Sequence, residues 1–243
     1  MTPASDTLTR REELSAGLVQ VQERITAACT AAGRPRGDIQ LIVVTKNFPG
    51  SDIELLCDLG VTDIGENRDQ EASAKIGALP GEVRERVHVH FIGQLQSNKA
   101  GSLATYVDTV HSIDRDKLVF ALDRAAAARG REIGALIQVS LAGDQAQAGR
   151  GGIRPEGVAE LANSVAAAQH LMLRGLMAVA PLGVDPGEAF AQLDTVARAV
   201  RADHPGATWV SAGMSADLEA AVANGATHLR VGTAILGSRP PVG

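Results

Sequence analysis

Beyond about residue 39 the chain alternates between two patterns of apolar residues. Short runs rich in β-branched side chains are followed by longer alanine-rich stretches with apolar positions at helical spacing, as expected of repeated strand-helix units around a parallel sheet. The strand-like runs are IQLIVVT (39–45), VTDIG (61–65), RVHVHFIG (86–93), YVDTVHSI (106–113), EIGALIQVS (132–140), MLRGLMAV (172–179), ATWVS (207–211) and HLRVG (228–232). Between them SDIELLCDL (51–59), DRDKLVFALDRAAAARG (114–130), PEGVAELANSVAAA (155–168), GEAFAQLDTVARAVRA (187–202) and SADLEAAVANG (215–225) read as helices. Several open with a capping residue, such as Ser51-Asp52, Asp114 or Ser215. Ahead of the first strand, Thr7 to Ala32 reads as a leading helix closed by Gly33 and Pro35.

Eight units in about 200 residues predict an α/β fold, a single-domain (β/α)8 TIM barrel with an extra N-terminal helix. The expected organisation is one domain over residues 1–243, with the leading helix at about 7–33 and the barrel at about 39–239, because no linker or composition break interrupts the chain. An open doubly wound sheet is the alternative, but no GxGxxG follows the first strand. Functional residues of a barrel gather where strands end on the C-terminal face. Here those ends carry Lys46, GEN with Asn67, GQLQSNK, HSID, APLG, SAGMS and GTAILG.

Two of these ends suit an anion. Barrels commonly hold a phosphate between the loops after strands 7 and 8. Ser211, Gly213 and Ser215 occupy the first loop, and Gly232 and Thr233 the second. Either loop alone reads more readily as helix capping; at these two positions together they favour an anion cradle. Lysine is scarce, with only Lys46, Lys75, Lys99 and Lys117 present. A lysine desolvated at a strand end can attack an aldehyde as a neutral amine, and an aldehyde that also bears a phosphate is pyridoxal 5'-phosphate (PLP). Arg230, two residues before Gly232 on the same side of strand 8, can reach toward the pyridine nitrogen. Arginine only donates, so that nitrogen would stay unprotonated and be a weak electron sink.

Composition narrows the partners. The chain is 45% hydrophobic with a formal charge of -5, and no concentrated basic surface invites nucleic acid or an anionic membrane. The start, MTPASDTLTRREELSAGL, is polar where a signal peptide has an apolar core, and no stretch is long enough to span a bilayer. The expectation is a cytoplasmic protein with Cys29 and Cys57 as small buried residues. His88 and His90 share a strand face, yet further metal ligands are not nearby, so a structural role is read and no metal site. AGRGGI (148–153) lacks the strand-turn-helix context of a phosphate loop and reads as a mobile loop, and GMSAD does not meet the GxSxG nucleophile pattern.

The stretches VVTKNFP, DIGENRDQE, HVHFIGQLQSNK, HSIDRDKL, LRGLMAVAP and AGMSADLEAAVANGATHLRVGTAILGSR resemble the pyridoxal phosphate homeostasis protein family, single-domain relatives of the alanine racemase N-terminal barrel. The resemblance runs from about residue 40 to 239. It implies PLP held as a Schiff base on Lys46 with Asn67 beside it. It also implies phosphate contacts from Ser211, Ser215, Gly232 and Thr233, with Met214 nearby and Arg230 toward the pyridine nitrogen. Departures from the family pattern are Ala212 in place of a usual methionine, Arg68-Asp69 where an aromatic commonly follows GEN, and LAGDQAQAGRGG (141–152) in place of a segment with Lys-Ser-Gly.

Three functions follow. The favoured one is a non-catalytic PLP carrier in intracellular PLP homeostasis, a monomer that buffers, carries or delivers the cofactor, with apo PLP-dependent enzymes as recipients. The second is a PLP-dependent amino-acid racemase, in which Lys46 would be catalytic. Racemisation needs acid-base groups on both faces; in alanine racemases the opposing tyrosine belongs to a second domain, whereas this chain stops after Arg239 and its one tyrosine, Tyr106, is expected away from the catalytic face. The third is a sugar-phosphate Schiff-base aldolase on the same fold.

Overall fold

The computed structural model describes residues 3–142 and 151–238, the side chains of residues 3–7 excepted. Its centre is a closed barrel of eight parallel strands in sequential order: β1 (Gln40–Val44), β2 (Asp63–Glu66), β3 (His88–Phe91), β4 (Thr109–Ile113), β5 (Ile133–Gln138), β6 (Leu171–Met177), β7 (Trp209–Ser211) and β8 (His228–Val231). Each falls within or across a predicted run. The ring closes by β1 pairing with β8, from Gln40 opposite His228 to Val43 opposite Val231.

Alternation along the strands separates two environments. Leu41 and Val43 of β1, Ile64 of β2, Val89 and Phe91 of β3, and Leu229 and Val231 of β8 join the apolar layer beneath the helices. That layer is completed by α2 (Gly50–Asp58), α3 (Asp69–Gly77), α4 (Gly81–Arg86), α5 (Ala100–Leu103), α6 (Asp116–Ala127), α7 (Val158–Ala167), α8 (Pro186–Asp203), α9 (Leu218–Ala223) and α10 (Thr233–Leu236). Helical spacing shows in their buried faces: Ile53, Leu56 and Cys57 on α2, Leu118, Val119 and Leu122 on α6, and Ala189, Phe190 and Leu193 on α8. The other strand face points into the barrel, where much of the lower interior is polar: His88, His90, Thr109, His111, Trp209 and His228 meet there.

The leading helix, α1 (Pro3–Ala31), begins earlier than its pattern suggests. It ends where predicted, at Gly33 with φ +64, the Arg34 N–H returning to the Cys29 carbonyl. The short helices α3, α4 and α5 lie in segments without a clear apolar stripe. The predicted helix 215–225 contracts to α9 because Asp217 instead accepts from the Met214 N–H at 2.6 Å. Most of the loop at 141–152, residues 143–150, lies outside the described residues.

Helix α1 packs across the end of the chain. Gly17 meets α10 so closely that a Cβ there would lie 2.7 Å from the Ile235 carbonyl oxygen. Arg10 bonds Asp52 of α2 at 2.7 Å and the Leu236 carbonyl at 3.1 Å. Gly17→Val would drive a branched side chain into backbone. We expect a loss of about 1–3 kcal/mol in urea unfolding; an unchanged midpoint would show that α1 can lift from α10 without cost.

Candidate functional site

Lys46 sits two residues beyond β1, half-buried. Both of its chain neighbours are fixed. Thr45 donates its amide to the Gly65 carbonyl at 3.0 Å and its hydroxyl to Glu66 Oε1 at 2.6 Å. Lys75 reaches up from α3 and donates to the Thr45 carbonyl at 2.9 Å, to Glu66 Oε1 at 2.9 Å and to Glu71 Oε1 at 3.1 Å. Glu71 Oε1 also accepts the Asn47 amide at 2.6 Å, with Asn47 in the left-handed region at φ +66. The backbone on each side of Lys46 is thus tied to one Glu66-Lys75-Glu71 cluster. Burial raises the Glu66 carboxyl above its usual range, opposed by Lys75 and the Thr45 hydroxyl.

Asn67 follows β2, half-buried. The end of β3 passes it where only glycine fits: a Cβ on Gly93 would fall 2.0 Å from the Asn67 carbonyl oxygen. Tyr106, in the turn before β4, is buried and donates its hydroxyl to Asp69 at 3.3 Å, at the start of α3.

The two glycine-bearing turns lie side by side because β7 and β8 are neighbours. After β7 the chain turns at Gly213, φ +91, where a Cβ would be 2.6 Å from that of Ala221; its carbonyl accepts the Arg230 amide at 2.9 Å. Met214 is exposed and Ser215 half-buried on the rim. After β8, the Gly232 carbonyl starts α10 by accepting from Ile235 and Leu236 at 2.9 Å. A Cβ on Gly232 would stand 3.0 Å from the Val44 carbonyl oxygen, so this turn abuts the β1 end that leads to Lys46; Thr233 beside it is exposed.

Arg230 and Ser211 lie deeper. Arg230 is buried in the barrel interior, donating from Nη1 to Ser211 Oγ at 2.6 Å and from Nη2 to the Ala178 carbonyl at 2.9 Å. Burial lowers its pKa to about 10, partly offset by Asp217, so the guanidinium is charged at neutral pH. Ser211 is fully buried, its hydroxyl engaged by Arg230 and by His111 Nδ1 at 3.0 Å. Its side chain therefore stands under the rim, where it supports Arg230.

The structure thus gathers Lys46, Gly232 and Thr233 at the β1-β8 seam, sets Ser215 and Met214 on the next turn, and places Arg230 and Ser211 beneath. A cavity of about 630 Å³ opens nearby, walled by Asn67 and Met214 together with Ile92, Gln138 and Met177; the other predicted residues lie outside its wall. Among the described residues no group of three or more His, Cys, Asp or Glu side chains could hold a metal. Sequence reasoning missed Glu66, Lys75 and Glu71, although a buried lysine in so lysine-poor a chain was a usable signal. It also missed His111 and Asp63, whose partners lie on other strands.

This barrel, with Lys46 after its first strand and small-residue turns after its last two, is matched over residues 21–240 by the family model of the alanine racemase N-terminal domain. Proteins named pyridoxal phosphate homeostasis protein are similar over nearly the whole chain. That of Mycobacterium tuberculosis is 44% identical, covering 95% of this chain and 94% of its own; that of Escherichia coli is 36% identical, covering 93% and 97%. The structure of PipY from Synechococcus elongatus with PLP bound superposes with a TM-score of 0.77 at 34% identity, covering 92% of this chain and 100% of that one. The chain belongs to the pyridoxal phosphate homeostasis protein family.

Two outcomes are expected. Lys75→Met would leave Glu66 and Glu71 facing each other without a cation, at a cost of about 3–5 kcal/mol in chemical denaturation, and adding Glu66→Gln should recover part of it. The loss should grow as pH rises, since a Glu66 whose folded pKa is raised binds a proton that the unfolded chain has released. Burial is the largest cause that lowers the pKa of His88, of His111, and of His228 to about 3, from the ordinary 6.5. Unfolding lets these imidazoles take up protons, so stability should be full above pH 6.5 and fall below it, by about 1.4 kcal/mol per pH unit for each proton bound. Urea titrations across this range that show no histidine-linked slope would contradict the neutral interior.

Proposed function

We propose that this protein binds PLP covalently through Lys46 as a single barrel domain and serves PLP homeostasis in the cytoplasm by buffering, carrying or delivering the cofactor, without substantial catalysis of its own. The observation that carries the reading is the fixing of Lys46 from both sides at the seam where the Gly232 turn meets β1. The PLP-bound PipY and the relatives' shared name support it. Where a Cβ on Gly213 or Gly232 would collide or crowd, the glycines keep the turn backbones bare, as a phosphate bound by N–H groups requires. Ser215, Gly232 and Thr233 would hold the phosphate, Asn67 and Met214 would flank the ring, and Arg230, supported by Ser211, would face the pyridine nitrogen.

PLP supplies an aldehyde that condenses with amines and a ring that withdraws electrons. Arg230, which can only donate, would leave a ring nitrogen that it faced unprotonated and the withdrawal weak. The racemase alternative also needs an acid-base group facing Lys46 across the ring. The single tyrosine of the chain does not supply it, because the Tyr106 hydroxyl is committed to Asp69. No helix among the described residues is long and apolar enough to cross a membrane, which suits exchange with apo PLP-dependent enzymes in the cytoplasm. We also propose a monomer, since the residues named for PLP all come from one chain.

The test is a visible spectrum after incubation with PLP, followed by borohydride reduction and peptide mapping. A yellow protein carrying a pyridoxyl mass on Lys46, lost in Lys46→Ala, is expected, with transfer of PLP to an apo enzyme. Label on another lysine, or a colourless protein, would refute the proposal. Turnover of alanine or another amino acid to its enantiomer at about 1 per second or faster would favour the racemase.

A further inference from the structure

A line of hydrogen bonds crosses the barrel interior from its N-terminal mouth to Arg230. At the mouth is Asp63, the first residue of β2, with 14% of its side chain exposed. His90 Nε2 of β3 lies 2.9 Å from Asp63 Oδ1, and His90 Nδ1 lies 2.9 Å from His111 Nε2 of β4. His111 Nδ1 lies 3.0 Å from Ser211 Oγ of β7, which stands 2.6 Å from Arg230 Nη1 of β8. Five strands contribute one residue each.

The two ends, with the buried hydroxyl between them, set where the protons sit. A guanidinium only donates and a carboxylate only accepts. Ser211 Oγ therefore accepts from Arg230, and its own buried proton finds its acceptor among the described residues in His111 Nδ1. His111 then carries its proton on Nε2 and donates to His90 Nδ1; His90 donates from Nε2 to Asp63. A doubly protonated His90 with His111 protonated on Nδ1 would also give each link a donor and an acceptor, but Ser211 Oγ would then accept twice and its buried proton would lose its acceptor; the arrangement with both imidazoles neutral satisfies every group along the line. Burial, with the Arg230 cation nearby, holds His111 neutral. Burial of Asp63, which raises a carboxyl, is outweighed by hydrogen bonds from His90 and Thr62, so it stays ionised. Gln40 Nε2 also donates to it at 2.5 Å.

We infer that Asp63, His90, His111 and Ser211 form a one-directional relay that positions the Arg230 guanidinium under the site, so that the orientation of Arg230 is set from the opposite mouth of the barrel. The relay presupposes PLP only in what Arg230 faces, and in that respect it rests on the functional reading above. Arg230 is held by a hydroxyl and a carbonyl rather than by a carboxylate. Those acceptors fix two N–H directions without drawing the cation into an ion pair. Aligned bonds polarise one another, so the Asp63 charge strengthens the Ser211 acceptor that it never touches.

The first test uses protein free of PLP. Long-range 1H–15N spectra at neutral pH should show His90 and His111 both neutral and protonated on Nε2. Asp63→Asn is nearly isosteric but can donate as well as accept, so the signals of both histidines should change, including those of His111. A proton on His111 Nδ1, an imidazolium at either position, or unchanged His111 signals in Asp63→Asn would overturn the relay. The second test uses protein loaded with PLP. Ser211→Ala should release PLP about two- to tenfold faster, the worth of one net hydrogen bond, and shift the visible absorption maximum, while Ser211→Thr keeps the hydroxyl and restores both. No change in Ser211→Ala, or equal changes in both variants, would overturn the positioning role. If the wild-type protein takes up no PLP, the functional proposal and the role of Arg230 at the ring both fall, while the histidine spectra still decide whether the relay exists.

Discussion

The pairing of β1 with β8 is the constraint on which the site depends. It sets Ile42 opposite Arg230 and Val43 opposite Val231, and the two strands leave the barrel side by side, one toward Lys46 and the other toward Gly232 and Thr233. No local preference joins segments so far apart in the chain; the loop must be closed against its entropy. What closes it is the ladder itself and the apolar side chains beneath α1, α2, α9 and α10, including Leu41, Val43, Leu229 and Val231. Helix α1 is part of this closure. Gly17 lets it rest on α10, and Arg10 joins Asp52 to the last turn of α10 across the seam. The segment preceding the barrel thus braces both halves of the candidate site.

Around this frame the protein buries charge in two places, and the solutions differ. Beside Lys46 the cation of Lys75 lies between two carboxylates in an ion-pair cluster whose remaining bonds run to backbone atoms flanking the anchor lysine. One oxygen of Glu66, Oε2, has no hydrogen-bond partner among the described residues, a cost that an apolar packing would not carry. In the barrel interior the cation of Arg230 is met by neutral groups in series that end at Asp63. A lower barrel filled by Leu, Ile and Val would be simpler to stabilise. The polar filling therefore trades stability for control over where one lysine and one arginine point.

The eight strands and the barrel were legible because their apolar runs are short, β-branched and regularly spaced, and Lys46 was legible because it ends the first of them. Helices α3 to α5 were not, since segments such as DQEASAKIG present few apolar residues and are fixed by contacts such as the Lys75 cluster rather than by a stripe. Asn67, Ser215, Gly232 and Thr233 could be named from their place after strands. The deep role of Ser211 could not, because a strand-end serine looks the same whether its hydroxyl faces the rim or the interior. Its partners decide, and His111 is distant in sequence on β4. His88 and His90 were seen to share a face, but the line through His111 needs the register and curvature of the closed ring, which one strand's alternation does not contain.

The contrast between a fixed anchor and an uncharged cradle bears on how such a site would behave. On the functional reading proposed above, the phosphate is held by Ser215, Gly232 and Thr233, none of which carries a charge, so its retention rests on backbone dipoles and hydroxyls. Bonds from neutral donors to an ionised phosphate are still charge-assisted, but a cradle without guanidinium or ammonium lacks the added attraction of an ion pair. Arg230, bound to Ser211 and Ala178, is committed to the ring side of the site. An incoming amine that took over the covalent link to Lys46 would leave the cofactor held by these bonds and by Arg230, with no ion pair to its phosphate. A site built for repeated turnover gains from gripping the phosphate tightly through each cycle. A site built to give its cofactor up gains from the reverse, a lysine placed with care beside a cradle that brings no cation to the phosphate.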